Sequence, residues 1–420
     1  MRNSNTLLLL LGIISTSPTH SDPAGVVGQI RIAPAVELRP PKTAGNAPNV
    51  NQGFVGFGIE MSSFAEYGGK SLLARLSCAL LTEIPPGINR PNNFSNNLMS
   101  AISTRTRAPV HIRVGGTSMD NTIFNTSSSA LTATGDQDTC HLHTNVTIGG
   151  PWLPAFKSFP VGTRFTVQLP LARNHPSNRV KFARACIAAM PSKTLQLDAN
   201  EIGNEPDLYP ASPKPPCGPP DRLNGYGPND YAAEWIAAAA DIGAQVGALN
   251  GQKAWFQAMT LSSGVDQKIW NITANWNAIN NDGFPKTVSQ HYYQANACGN
   301  LQDELMNHSK TVSMLETSFG TTASFLRNHE IPFVLGEVGS ALWPNRSCTP
   351  NLQLYGSLGG ALWTADMMLH TMAMGIERIS MQQGTNFNFS AWQPITTLFA
   401  PKAVHGNWYG HVFAADFFWV

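Results

Sequence analysis

Leu195-Gln-Leu-Asp-Ala-Asn-Glu-Ile-Gly-Asn-Glu-Pro-Asp-Leu-Tyr209 opens as an alternating apolar/polar strand and breaks off in a Pro/Asp turn. Glu205 therefore sits where a strand gives way to a loop. In a closed barrel of alternating strands and helices, the C-terminal strand ends converge on one rim, and that rim carries the chemistry. An Asn-Glu-Pro triplet alone also reads as a solvated Glu opening a turn. A second carboxylate at another strand end changes its weight. Pro332-Phe-Val-Leu-Gly-Glu337-Val-Gly-Ser340 supplies one, after an apolar run of the kind a buried parallel strand needs. The two glutamates are 132 residues apart, enough for about three βα units.

Working outward, strand patterns recur at Phe54–Met61, Pro109–Val114, Thr163–Pro170, Thr194–Ile202, Lys253–Leu261, Thr287–Tyr292, Pro332–Gly336 and Glu377–Gln382. Helical spacing is clearest over Ser71–Leu81, Asn178–Met190, Tyr231–Leu249, Thr311–His329 and Asn351–Met374. This alternation predicts an α/β fold, a (β/α)₈ TIM barrel. A doubly wound sheet would call for a Gly-rich phosphate turn after an early strand, and Arg113-Val-Gly-Gly-Thr117 lacks the required glycine spacing.

Charged residues make up only 13% of the 420, with net charge +1 and no basic run. This balance advertises neither nucleic acid nor an anionic membrane surface as a partner. Met1-Arg2 followed by Leu7–Ile14 and a Ser/Thr stretch reads as a secretory signal, too short to span a bilayer. The expected division is a signal over 1–21, an N-terminal strand and linker over 22–50, and the barrel over 51–420. A secreted, extracellular product with no membrane association after signal cleavage follows. Sequons begin at Asn93, Asn125, Asn145, Asn271, Asn307, Asn345 and Asn388. The six cysteines are Cys78, Cys140, Cys186, Cys217, Cys298 and Cys348, without a Cys-x-x-Cys pair, so zinc is not expected. Cys78 and Cys186 fit buried thiols in helical patterns. Cys298 and Cys348 follow two neighbouring expected strands, so a loop-to-loop bridge between them is expected.

Other strand ends carry further candidates. Glu60 closes the first strand; Thr117 and Asp120 follow the second, where helix capping is an equal reading. In Ser289-Gln-His291-Tyr-Tyr293, alternation puts His291 and Tyr293 on one face and Tyr292 on the other. A Tyr293 phenol at the barrel mouth would hold the Glu337 charge. Gln383 ends the eighth strand and Trp392 follows in its loop, where an indole can stack on a sugar, although most of the ten tryptophans must be core. Glu201 and Asp207 flank Glu205 and read as supporting or turn residues. Two glutamates at a barrel mouth, without a metal cluster, a Ser/His/Asp order or a nucleotide loop, point to glycoside hydrolysis with no cofactor. Asn204 beside Glu205 is placed to hold a sugar 2-hydroxyl.

The segments Gly56–Ser62, Ile112–Asp120, Glu201–Asp207, His291–Tyr293 and Leu335–Ser340, in this order and spacing, resemble the retaining (β/α)₈ glycosidase clan. Within it the chain resembles glycoside hydrolase family 79, the β-glucuronidase and heparanase-like enzymes, from about residue 50 onward. The resemblance implies Glu205 as acid/base, Glu337 as nucleophile and Tyr293 as its support, with Asn204, Glu60 and Thr117 lining the sugar subsite. It implies a carbohydrate partner bearing glucuronic acid, plain or 4-O-methylated. The basic clusters of enzymes acting on sulfated chains are not found. Another β-glycosidase of the clan, such as a xylosidase or glucosidase, or an inactive secreted carbohydrate-binding protein, stays open, as does the oligomeric state. The family also ends in a β-sandwich, to which a leading segment like Gln29–Leu38 belongs. Here Trp408–Val420 reads as the start of the eighth helix, so the sandwich is expected to be largely missing and the barrel truncated in or after that helix.

Overall fold

The computed structural model describes residues 47–69, 91–130, 146–173, 175–192, 195–211, 220–249, 251–342 and 348–419, with the short strands Leu8–Leu9, Val36–Glu37 and Thr134–Gly135. It comprises two units, one of residues 1–47 with Val420 and one of residues 48–419. In the first, Leu8–Leu9 pairs antiparallel with Val36–Glu37. The rest of the expected signal and of the linker up to residue 46, the helix expected over Ser71–Leu81, the sequons at Asn145 and Asn345, and Cys78, Cys140 and Cys217 lie outside the described residues.

The second unit is the expected (β/α)₈ barrel. Its strands are β1 (Val55–Glu60), β2 (His111–Gly115), β3 (Arg164–Leu169), β4 (Leu195–Ile202), β5 (Phe256–Leu261), β6 (Pro285–Asn296), β7 (Phe333–Leu342) and β8 (Arg378–Gln383). Each pairs in parallel with the next. β8 returns to β1, and β4 meets β5 through Asn200–Phe256 and Glu201–Gln257 to close the ring. The longer helices among the described residues are α1 (Asn93–Thr106), α2 (Pro176–Ala189), α3 (Pro228–Gln245), α4 (Ile272–Ile279), α5 (His308–Asn328), α6 (Leu358–Ala373) and α7 (Gly406–Asp416). Asn92, Asn271, Asn307 and Ser357 accept backbone N–H groups at the starts of α1, α4, α5 and α6, which fixes where those helices begin. Between β2 and β3 the described residues include a short turn of helix, Thr117–Asp120, and the 3₁₀ segment Gly150–Ser158. Trp152 and Phe156 of that segment pack on Phe64, and Phe156 also packs on Phe165 of β3.

The strands divide their side chains by polarity. Outward positions such as Phe57, Ile112, Val114, Phe165 and Val167 are buried in the main apolar core. Many inward positions are polar: Arg113, Gln168, Glu201, Gln257, Thr287 and Arg378 are buried and bonded to one another within the barrel. An interior of this kind has to satisfy its own hydrogen bonds, because water is largely excluded.

Two strands run further than expected. β6 and β7 continue as a pair to Asn296 and Leu342, with Ala295 opposite Ala341. Glu337 is therefore inside a strand rather than after its end. The Cys298–Cys348 disulfide closes the loops just beyond this extension, and Cys186 is a free, buried thiol. Because the bridge spans 50 residues, replacing both cysteines by serine should cost about 4 kcal/mol of unfolding free energy by loop entropy. A melt of the double variant measures this; an unchanged melting temperature would show that the paired strands hold the loops without help.

Among the described residues no helix is long and apolar enough to cross a membrane. The sequon residues Asn93, Asn125, Asn271, Asn307 and Asn388 are all exposed.

Candidate active site

Glu205 follows β4 by three residues and adopts the left-handed region, with φ +48°. A non-glycine residue there is strained and is held by its surroundings. Its N–H donates to Thr260 O at 3.0 Å, and Thr260 and Met259 on β5 also have positive φ. The Glu205 carboxylate takes a 2.9 Å hydrogen bond from His291 Nδ1 on β6. A register shift between Gln290 and His291 sets His291 opposite Glu337 of β7. One oxygen of Glu205, one nitrogen of His291 and one oxygen of Glu337 all lie within 4.8 Å of one another.

Glu337 is gripped on both oxygens. Tyr293 Oη donates to one at 2.8 Å, and Arg113 Nη1 donates to the other at 2.8 Å. Gly339 makes room for the phenol, because a Cβ there would come within 2.4 Å of the Tyr293 ring. Burial alone would raise the Glu337 carboxyl. The charges of His291 and Arg113 and the bonds from Tyr293 and Arg113 outweigh it and hold the group below its ordinary value. Burial would lower His291, yet Glu337 and Glu205 raise it above its ordinary value.

Arg113 is the residue that sequence reading missed. It is 1% exposed and its Nη2 also donates to Glu201 at 2.6 Å and to Asn204 Oδ1 at 2.8 Å. Glu201, fully buried, in turn accepts from Gln257. Alternation along β2 puts His111, Arg113 and Gly115 on one face, but only ring closure shows that this face points into the barrel.

Glu60 ends β1 and is 8% exposed. Ser118 donates to it through N–H at 3.0 Å and through its hydroxyl, and Gln382 Nε2 donates at 3.2 Å. Gly116, at φ +96°, is required beside it, since a Cβ would fall 2.1 Å from Glu60 Oε2. Burial and then the Glu337 charge push Glu60 up to about 7, against the lowering effect of Ser118 and Arg113. The folded state thus keeps a proton that the unfolded chain loses, so stability falls as pH rises from about 4.5 through 7. Glu60→Gln should remove this dependence and stabilise the protein by roughly 3 kcal/mol at pH 8 while staying near neutral at pH 4. Paired melts at the two pH values check it, and equal effects at both would refute it.

The structure brings Glu205, Glu337, Asn204, Tyr293, His291 and Glu60 together. Thr117 is exposed on the rim beside Ser118. Three expected binding residues are placed elsewhere. Asp120 is buried and accepts from Leu171 N, Ala172 N, Asn204 N and Tyr209 Oη, so it ties the β2, β3 and β4 loops together. Gln383 is fully buried; its amide donates to Met381 O and Gln382 O and accepts from Ala391 N. Trp392 is also fully buried, donating to Ser95 and packed edge-on against Phe57 and Tyr67. Its place in a loop said nothing of the side chain turning back under the barrel wall. In the same loop Phe389, partly exposed, packs against Tyr293 at 5.5 Å.

Glu205, His291 and Glu337 are also a donor set of the size a divalent cation needs. Their partners do not fit one: a guanidinium already stands 2.8 Å from Glu337 and Tyr293 fills its other oxygen. What the arrangement can do is hold Glu337 ionised with the Glu205 carboxylate close beside it.

No protein-family model matches the chain. It is 27% identical over 407 residues to a β-glucuronidase of Neurospora crassa, covering 91% of this chain and 66% of that protein. It is 27% identical over 425 residues to a β-glucuronidase of Aspergillus niger, covering 97% and 72%. Among solved structures, a 4-O-α-L-rhamnosyl-β-D-glucuronidase from Fusarium oxysporum superposes with a TM-score of 0.68 at 18% identity, over 88% of this chain and 70% of that one. A family 51 arabinofuranosidase from Xanthomonas axonopodis pv. citri gives 0.54 at 14% identity, over 88% and 73%. These structural likenesses establish the fold.

Proposed function

We propose that the chain is a retaining glycoside hydrolase, a secreted β-glucuronidase of the family 79 type, which removes terminal glucuronic acid, plain or 4-O-methylated, from a glycan or glycoside. The observation that carries this reading is the approach of the Glu205 and Glu337 oxygens to within 4.8 Å. That proximity supports the separation of roughly 5–5.5 Å at which the second carboxylate attacks directly, rather than the wider one of an inverting enzyme that seats a water between its carboxylates. The two β-glucuronidases at 27% identity support the sugar.

Glu337, ionised and aimed by Arg113 and Tyr293, attacks the anomeric carbon. The bond to the leaving oxygen breaks as Glu205 gives that oxygen its proton. A glycosyl ester on Glu337 results. Water, deprotonated by Glu205, then attacks the same carbon, releasing the sugar and restoring both carboxyls. His291 holds the Glu205 carboxyl in place through the cycle. Asn204, whose Oδ1 is taken by Arg113, keeps its Nδ2 donors for a sugar hydroxyl.

The test is hydrolysis of aryl β-glucuronide against aryl β-glucoside and β-xyloside, with the first-formed anomer read by nuclear magnetic resonance. Preference for the glucuronide and release of the β-anomer are expected. Release of the α-anomer would defeat the retaining mechanism, and indifference to the carboxylate would defeat the sugar assignment. Glu205→Gln should cost about 10²–10⁴-fold on an alkyl glucuronide and far less on an activated aryl one, since a good leaving group needs no proton. An equal loss on both would remove Glu205 from the acid role.

A further inference from the structure

The barrel carries a second polar site at its opposite end. A cavity of about 150 Å³ opens among the N-terminal ends of the strands, lined by His111, Arg164, Asp198, Lys286, Glu377 and Arg378. We propose that this cavity binds a small oxyanion, hydrogen phosphate in class, held by the Arg378 guanidinium and His111 Nδ1.

The charges in the cavity are unevenly matched. Asp198 is engaged by Arg164 and by Lys286 at 3.1 Å, with His111 Nε2 at 3.6 Å. Glu377 accepts from Asn51. Arg378 is only 8% exposed, yet its hydrogen bond is a 3.3 Å contact to the neutral Gln257 amide. Among the described residues it has no carboxylate at ion-pair distance. Burial pulls this guanidinium down from its ordinary value, and Asp198 and Glu377 act on it only from a distance. A buried cation with so little compensation is costly, and a water molecule cannot neutralise it.

His111 adds a second unmet group. It is 3% exposed, and its Nδ1 has no hydrogen-bond partner. Nε2 lies 3.6 Å from the Asp198 carboxylate and 3.3 Å from Thr166 Oγ1, so the neutral ring keeps its proton on Nε2 and offers Nδ1 as an acceptor to an occupant. A hydrogen phosphate accepting from Arg378 and donating its P–OH to His111 Nδ1 satisfies both at once, and charge-assisted bonds to guanidinium are the strong kind. The volume is several times the share of one water, which gives room for a tetrahedral anion. Arg164 and Lys286 at the rim add positive charge on the approach. The site is independent of the reaction assigned to the other end of the barrel.

The test uses the full chain at constant ionic strength, titrating phosphate, sulfate and acetate against chloride and reading binding by calorimetry and by melting temperature. A saturable rise with phosphate, weakened about tenfold or more in Arg378→Gln, is expected. The sulfate arm tells the P–OH donor from charge alone, and the acetate arm tells a tetrahedral anion from any carboxylate. A rise that does not saturate, or that is the same in the variant, would overturn the proposal. Should the variant fail to fold, wild-type crystals soaked in hydrogen arsenate decide it by anomalous scattering. An arsenic peak between Arg378 and His111 supports the site, and an empty cavity with arsenate elsewhere refutes it.

Discussion

Glu337→Gln should lower turnover of an aryl β-glucuronide by about 10⁴-fold or more, the scale at which removing a nucleophile from an assembled site is felt. The substitution keeps shape and a hydrogen-bonding oxygen but removes the negative charge that Arg113, His291 and Tyr293 are arranged around. On the proposed mechanism turnover requires ionised Glu337, so activity should fall as pH drops through its folded pKa. Burial opposes ionisation there, but His291, Arg113 and Tyr293 prevail, so the acid limb of kcat/KM should lie below the ordinary glutamate range. The linked stability has the same sign: a carboxyl with a lowered folded pKa contributes above its unfolded pKa and loses that contribution in acid. Survival of more than a few per cent of turnover in the variant would show that Glu337 is not the attacking group.

Arg113→Met should be nearly as damaging, and to folding as well as turnover. It leaves Glu201, fully buried, with the Gln257 amide in place of a guanidinium 2.6 Å away. Breaking one side of such a pair typically costs about 3–5 kcal/mol. Turnover should fall because Glu337 keeps the Tyr293 bond but loses its aimed cation. Arg113→Lys should recover part of the stability and little of the rate, because an ammonium cannot match the fork that binds Glu201, Asn204 and Glu337 together. Denaturant melts and kcat/KM of the two variants measure both effects. Loss of less than about 1 kcal/mol in Arg113→Met would show that the Arg113–Glu201 pair is not needed to hold the barrel interior together.

Much of the fold and both central carboxylates were legible because they obey local rules. Alternation in Leu195–Ile202 and the Pro/Asp turn after it placed Glu205 at a rim, and the apolar run before Glu337 marked a buried parallel strand. Period two put Tyr293 and His291 on one face; in the structure they contact Glu337 and Glu205, while Tyr292 packs outward on Phe319 of α5. α1 escaped the periodicity because Asn93–Thr106 is a polar helix with only a thin buried stripe.

Period and turn chemistry thus determined, from sequence alone, that strands and helices alternate, that the chain closes into a barrel, and that Glu205 and Glu337 stand at its mouth. Ring closure decided the rest. It made the inward face of β2 an interior position, turning Arg113 from a strand residue into the cation of the site and leaving Arg378 and His111 over a cavity at the far end. It also placed Trp392, Gln383 and Asp120 in structural contacts under the rim. The physical reason is that a strand's pattern says which residues share a face, whereas what that face meets depends on partners hundreds of residues away. The hydrogen bond from Arg113 to Glu337 crosses the barrel from β2 to β7, and the one from Gln382 to Glu60 joins β8 to β1; both pairs are remote in sequence and meet only after the barrel has closed.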